Sequence, residues 1–384
     1  MTVLTQEEIR RWRQEFPILS TMVHLANCSQ SPQSKTVRHS IEAYMRSWRE
    51  EGMNWDAWIA KVDAAKRQFA RLINAEPDEI AVTMSVSDAT INVASACLPD
   101  QWKNKIVTTA AEFPTIGQIW LAQQRFGWQV DFVPVRDGQL YLEDYRQAID
   151  DRTALVSVTH VYYQNGFKQD LKTISKLAHD HGALFYVDAY QSLGTTPVDV
   201  KAMQIDMLSS GVLKYLLGLP GIAFLYVRRE LADQLRPAST GWFGQQNPFA
   251  MEVSRLDYAT GARRFDTGTP PIIAAYAAEA GLSLINQVGA AEIGQRIQDL
   301  VRFTLAESED HGLEVLGPRD LRQRGAAVAI AVPDSHGIEE RLKQRGMILS
   351  ARGPAIRIAP HFFSLEEEIS RAVVGIRTEL DAHK

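Results

Sequence analysis

Between about residues 80 and 230 the chain alternates short β-rich apolar runs with longer segments whose apolar positions recur at helical spacing. That is the rhythm of a parallel sheet covered by helices. The runs predict strands at 79–83, 105–109, 129–133, 154–160, 183–188, 207–209 and 221–227. Between two of them, residues 170–182 place Leu171, Ile174, Leu177 and Ala178 on one helical face, and Gly182 suits the stop. The result is a strand, helix, strand crossover. It leaves Asp188 at the end of a strand, where open α/β sheets place their ligand crevice.

Beyond about residue 270 the pattern changes. Helical stretches at 272–288 and 291–307 precede a strand at 326–332, a helix at 337–345, short strands near 347–350 and 355–359, and a closing helix at 365–380. The expected class is α/β, a mostly parallel sheet flanked by helices with a smaller α+β C-terminal domain. The expected division is an N-terminal helical arm at 1–20, a large domain at 21–270 and the small domain at 271–384. No Gly/Ser linker marks position 270, and helices of this kind often span both domains.

Composition narrows the partners. The formal net charge of −5 gives no broad attraction to nucleic acid or to anionic lipid. No run approaches the ~20 apolar residues needed to cross a bilayer, and the first residues lack an apolar core of signal-peptide length. Cys28 and Cys97 form neither a disulfide framework nor a zinc-ligand spacing, which fits a reducing, cytoplasmic setting. His179 and His181 are two apart on a helix and do not face one another, so no metal is expected.

Two residues carry the chemistry: Asp188, and Lys214 at the end of Ile205-Asp-Met-Leu-Ser-Ser-Gly-Val-Leu-Lys214. A pyridoxal phosphate site needs a lysine amine to hold the cofactor aldehyde as an imine. It also needs a carboxylate to keep the pyridine nitrogen protonated, so that the ring accepts electrons. The segments Val187-Asp-Ala-Tyr-Gln-Ser192, Leu213-Lys-Tyr-Leu-Leu-Gly-Leu-Pro-Gly221 and Arg264-Phe-Asp-Thr-Gly-Thr-Pro270 carry a further likeness. In order and spacing, over nearly the whole chain, they resemble class V aminotransferases. That fold-type I pyridoxal phosphate group includes kynureninases, cysteine desulfurases and isopenicillin epimerase-like proteins.

The resemblance implies roles residue by residue. Asp188 pairs with the ring nitrogen, Gln191 donates to the ring hydroxyl, and Lys214 binds the cofactor and moves the substrate α-proton. Phe113, in Glu112-Phe-Pro-Thr115, stacks on the ring, although a Phe after a strand equally suits a core. The cofactor phosphate falls where Ser85-Val-Ser-Asp-Ala-Thr90 enters a helix at 89–98, with Val86, Ser87 and Asp88 as its contacts, since helix-start amides and hydroxyls bind anions. Many relatives carry a His or Tyr phosphate ligand just before the lysine, whereas this chain has Leu213. Ser209 or Ser210 compensates, as do Trp242 and Thr269 from segments that in the family reach a partner's site, implying a homodimer with shared active sites. Arg357 grips a substrate carboxylate with a bidentate fork, and Asn27, Gln30 and Tyr163 line the substrate mouth, turn chemistry or core packing serving as well for these three.

The segment Gly346-Met-Ile-Leu-Ser-Ala-Arg-Gly-Pro354 lacks the mobile cysteine of desulfurases, which disfavours persulfide chemistry. The expected activity is α-proton abstraction from a small amino acid, aminotransferase-type first. Kynureninase-like or carbon–sulfur lyase cleavage comes second, and epimerisation third. A pyridoxal phosphate-sensing regulator needs an N-terminal DNA-binding helix-turn-helix, for which about 20 residues are too few. A nicotinamide dehydrogenase needs a glycine fingerprint that the chain lacks.

Overall fold

The computed structural model describes residues 4–382. Strand β1 (Val23–His24) lies apart from the central sheet, which is built from β2 (Ile80–Thr83), β3 (Lys105–Thr109), β4 (Gln129–Val133), β5 (Thr153–Thr159), β6 (Leu184–Asp188), β7 (Met207–Gly211) and β8 (Ala223–Val227). Their order is β2-β8-β7-β6-β5-β3-β4. All run parallel except β8, which is antiparallel to both of its neighbours. Strands β2, β3, β7 and β8 are buried throughout, as strands covered on both faces must be, while edge strand β4 is largely open.

The crossover between β5 and β6 is the helix Leu171–Asp180, capped by the Asp170 carboxylate on the Thr173 amide. It ends at His181, and Gly182 follows with φ +64. Strands β5 and β6 pair in parallel and finish together, Thr159 beside Asp188.

A second sheet, antiparallel in the order β12-β13-β10-β9, comprises β9 (Val315–Leu316), β10 (Val328–Ala331), β12 (Ser350–Arg352) and β13 (Ala355–Ile358). Between β10 and β12 lies β11 (Met347–Ile348), which pairs in parallel with β1 instead. Ala26 bridges Ala359. The N-terminal segment is thus tied to the C-terminal layer, and the loop that follows it is carried toward the ends of the central strands.

Helix Ile272–Val288 packs along Trp55–Ile73 and closes over the segment after Lys214. A Cβ at Gly281 would lie 2.5 Å from the Leu216 carbonyl oxygen. Leu217 itself has φ +63, a left-handed backbone that costs of order 1–3 kcal/mol and persists only when its surroundings over-determine it. Gly281→Ala is therefore expected to destabilise the fold by about 1–3 kcal/mol. A thermal melt of the purified variant checks this, and an unchanged midpoint would contradict the close approach.

Candidate active site

Three segments meet at the C-terminal ends of β5, β6 and β7. From β6 comes Asp188, buried, its Oδ1 accepting the Tyr190 amide at 2.9 Å. Its other oxygen accepts no bond among the described residues. Burial raises the carboxyl pKa above the ordinary value, while the Tyr190 amide and the Lys214 charge pull it back. This is a carboxylate short of a partner.

Lys214 lies beyond β7, its Nζ 4.0 Å from the centroid of the Tyr190 ring and 5.9 Å from that of Phe113. No carboxylate among the described residues stands within ion-pair reach of it. Burial lowers its pKa to about 8 against the pull of Asp188, and the charges of Arg357 and Arg352 push the same way as burial. Such an amine is half deprotonated at about pH 8, where an ordinary lysine is still charged. Reductive methylation with formaldehyde should thus modify Lys214 ahead of exposed lysines, with a labelling midpoint near pH 8 read by peptide mass spectrometry; a midpoint above pH 10 would contradict the burial argument.

Arg357, on β13, is fully buried. It donates from Nη1 to the Tyr163 carbonyl at 2.7 Å and from Nη2 to the Ser350 and Ser29 hydroxyls at 2.6 and 3.0 Å. Its Nε is buried with no partner among the described residues. The Tyr163 ring meets Phe113 edge-on, centroids 5.3 Å apart, and Phe113 is 43% exposed, a ring left uncovered on one side.

The remaining expected residues divide by where they lie. Gln191 is buried and donates to the Cys28 carbonyl at 3.0 Å. Asn27 is fully buried and committed at both ends of its amide, to the Ala359 carbonyl and the Ser31 hydroxyl. Gln30 is exposed. The helix expected at 89–98 is Val86–Ala96, three residues earlier, because the Ser85 hydroxyl caps it on the Asp88 amide. Asp88 turns its carboxylate back onto Ser85 at 2.9 Å, which leaves the Val86 and Ser87 amides at the helix mouth. Ser210 donates to the Gly211 carbonyl and Ser209 shares a hydrogen bond with Tyr186. Trp242 packs on Phe243 and Phe249, and exposed Thr269 belongs to the same 350 Å³ cavity as Phe243 and Phe249; neither touches Lys214 within the chain.

Two neighbours of Asp188 escaped sequence reasoning. Glu112 is buried, its Oε1 accepting the Thr159 amide at 2.7 Å and the Thr109 hydroxyl at 3.0 Å, its Oε2 unpartnered. Burial first, and the Asp188 charge second, raise its pKa well above the ordinary carboxylate value, which favours the neutral form. Tyr190 is the other, its ring under the lysine amine. Both stood inside quoted motifs, where only a model of the packing distinguishes them from core. Ser29 and Ser350 gave no sequence signal at all.

A buried lysine of lowered pKa, a carboxylate with a free oxygen, an uncovered aromatic face and a helix mouth with two open amides fit pyridoxal 5′-phosphate. A family model described as aminotransferase class-V matches residues 25–377. The chain belongs to the class-V aminotransferase family. An uncharacterized aminotransferase of Bacillus subtilis, YcbU, is 41% identical over 94% of this chain and 96% of its own length. Kynureninase of Pseudomonas fluorescens is 29% identical, covering 91% of this chain and 87% of its own. Among solved structures, the apo cysteine desulfurase of Thermococcus onnurineus superposes with a TM-score of 0.87 over 99% of both chains at 24% identity, which shows the class-V fold.

Proposed function

We propose that the chain is a pyridoxal 5′-phosphate enzyme that transaminates a small amino acid. The observation that carries this reading is the Lys214 amine, its pKa lowered to about 8 between Phe113 and Tyr190, with Asp188 and Arg357 close enough to act on its charge. When bound, the cofactor supplies an aldehyde for the amine and a ring that takes up negative charge.

The protein's own groups do the rest. The substrate carboxylate docks at Arg357, whose buried Nε is free to donate. That fixes the α-carbon, and Lys214, unprotonated near pH 8, removes its proton and returns it elsewhere. Asp188 keeps a negative charge against the ring nitrogen, and Gln191 lies beside it. Burial beside Asp188 favours the neutral form of Glu112. Phe113 and Tyr163 wall off water on one side. The Val86 and Ser87 amides, with Asp88 turned away, hold the phosphate.

The relative named as an aminotransferase covers almost the whole chain, which favours transamination. Kynureninase relatives favour a second reading, cleavage of the substrate side chain. A panel of amino acids separates them. Transamination yields more than one equivalent of 2-oxo acid per site only when an oxo-acid acceptor is supplied; cleavage releases the side-chain fragment over many turnovers without one. No reaction with any amino acid, with or without an acceptor, would overturn both.

We further assign residues 21–270 to the cofactor-binding domain and 271–384 to the small one, and read the enzyme as a homodimer in which Trp242 and Thr269 complete the partner's site. Exposed Phe249, Met251, Val253 and Leu256 leave apolar surface on that segment. Sizing by light scattering should give twice the chain mass of 43.0 kDa; a monomer would refute it. Free Cys28 and Cys97 suit the cytoplasm, and among the described residues no helix is long and apolar enough to cross a membrane.

A further inference from the structure

Resting on that reading, we propose that Tyr190 supplies the phosphate contact that Leu213 does not: its ring seats the Lys214 amine and its hydroxyl donates to the cofactor phosphate. The residue touches both Asp188 and Lys214. Its backbone amide donates to Asp188, and its ring lies 4.0 Å from Lys214 Nζ. The Leu213 backbone amide approaches its hydroxyl.

Gly211 is the second observation. A Cβ there would lie 2.4 Å from both Cζ and Oη of Tyr190, so the phenol occupies the volume a side chain at 211 would need. The Gly211 backbone is not in the left-handed region, so the ring, and not the turn, requires glycine. A hydroxyl at the end of β7 that receives an amide keeps its own proton free to donate. Burial, then the Asp188 charge, raises its pKa well above that of an ordinary phenol, so it keeps its proton and stays a donor.

Location fits the ligand. Helix Val86–Ala96 packs on β7 and β8 and opens at the same end of the sheet as Gly211, and Tyr190 packs against the apolar cluster that contains Val86. Three nearby hydroxyls are committed, Ser85 to the Asp88 cap, Ser209 to Tyr186 and Ser210 to the Gly211 carbonyl, which leaves those of Ser87 and Tyr190. A phosphate at the helix mouth therefore finds in Tyr190 a hydroxyl not already spent.

The test compares two ligands on the apo chain by fluorescence titration, pyridoxal 5′-phosphate and pyridoxal, which lacks the phosphate. Tyr190→Phe keeps the ring and removes the donor. It should raise Kd for the phosphorylated ligand about ten- to a hundredfold, as loss of a charged hydrogen bond does, and leave Kd for pyridoxal unchanged. The double variant Tyr190→Ala with Gly211→Ser, which returns a hydroxyl to the emptied space, should regain phosphate preference over Tyr190→Ala alone. Equal weakening of both ligands, or no change in Tyr190→Phe, overturns the inference and leaves the cofactor assignment standing. A wild-type chain that binds neither ligand removes the assignment, and this inference with it.

Discussion

Replacing Lys214 by alanine is expected to lower kcat by at least about 10³-fold, because the variant loses both a covalent anchor and the base that moves the α-proton, and proton transfer alone is worth about 10²–10⁴. The fold should survive. Lys214 makes no ion pair among the described residues, and burying it costs desolvation that alanine removes, so a melting midpoint equal to or above that of the parent is expected. A small primary amine added to the variant should restore part of the rate, since the space of the side chain is left open. The measurement is steady-state turnover with and without added amine. Turnover within tenfold of the parent would place the chemistry on another group.

Arg357→Ala is the second large effect. The guanidinium is fully buried and holds the Tyr163 carbonyl and the Ser29 and Ser350 hydroxyls, so truncation removes the substrate's partner and also strands the Tyr163 carbonyl, while the two hydroxyls keep each other. Loss of one partner of a buried charge pair costs about 2–5 kcal/mol, so kcat/KM for an amino acid should fall by about 10²–10³-fold, mostly in KM. An amine without a carboxylate separates docking from collapse of the site: the variant should process it no worse than the parent does. Arg357→Lys should recover little, because a point charge does not reproduce the fork. Equal losses on both substrates would make Arg357 a structural residue only.

Much of the central fold was legible in the sequence because a strand buried on both faces leaves an unbroken apolar run. β3 and β4 occupy the expected residues, and β5 and β6 are displaced by one residue or less at each end. The helix at the phosphate end was misplaced by three residues. Ser85 is read as a turn residue from sequence, yet its hydroxyl caps the helix and draws the start forward to Val86. The pairing of β1 with β11 was invisible, since two-residue strands carry no periodicity. At the site, Lys214 and Asp188 stood out because a charge ending an apolar strand is costly without a task. Glu112 and Tyr190 did not, because their roles lie in what packs on them. The pKa of Glu112 is raised only through burial beside Asp188, and Tyr190 meets Lys214 only because residue 211 has no side chain.

The account turns on one bond between this chain and the cofactor. Borohydride reduction of the loaded wild-type protein, followed by peptide mass mapping, tests it directly. The predicted result is a single adduct on the peptide containing Lys214; an adduct on a different lysine, or none, would contradict it.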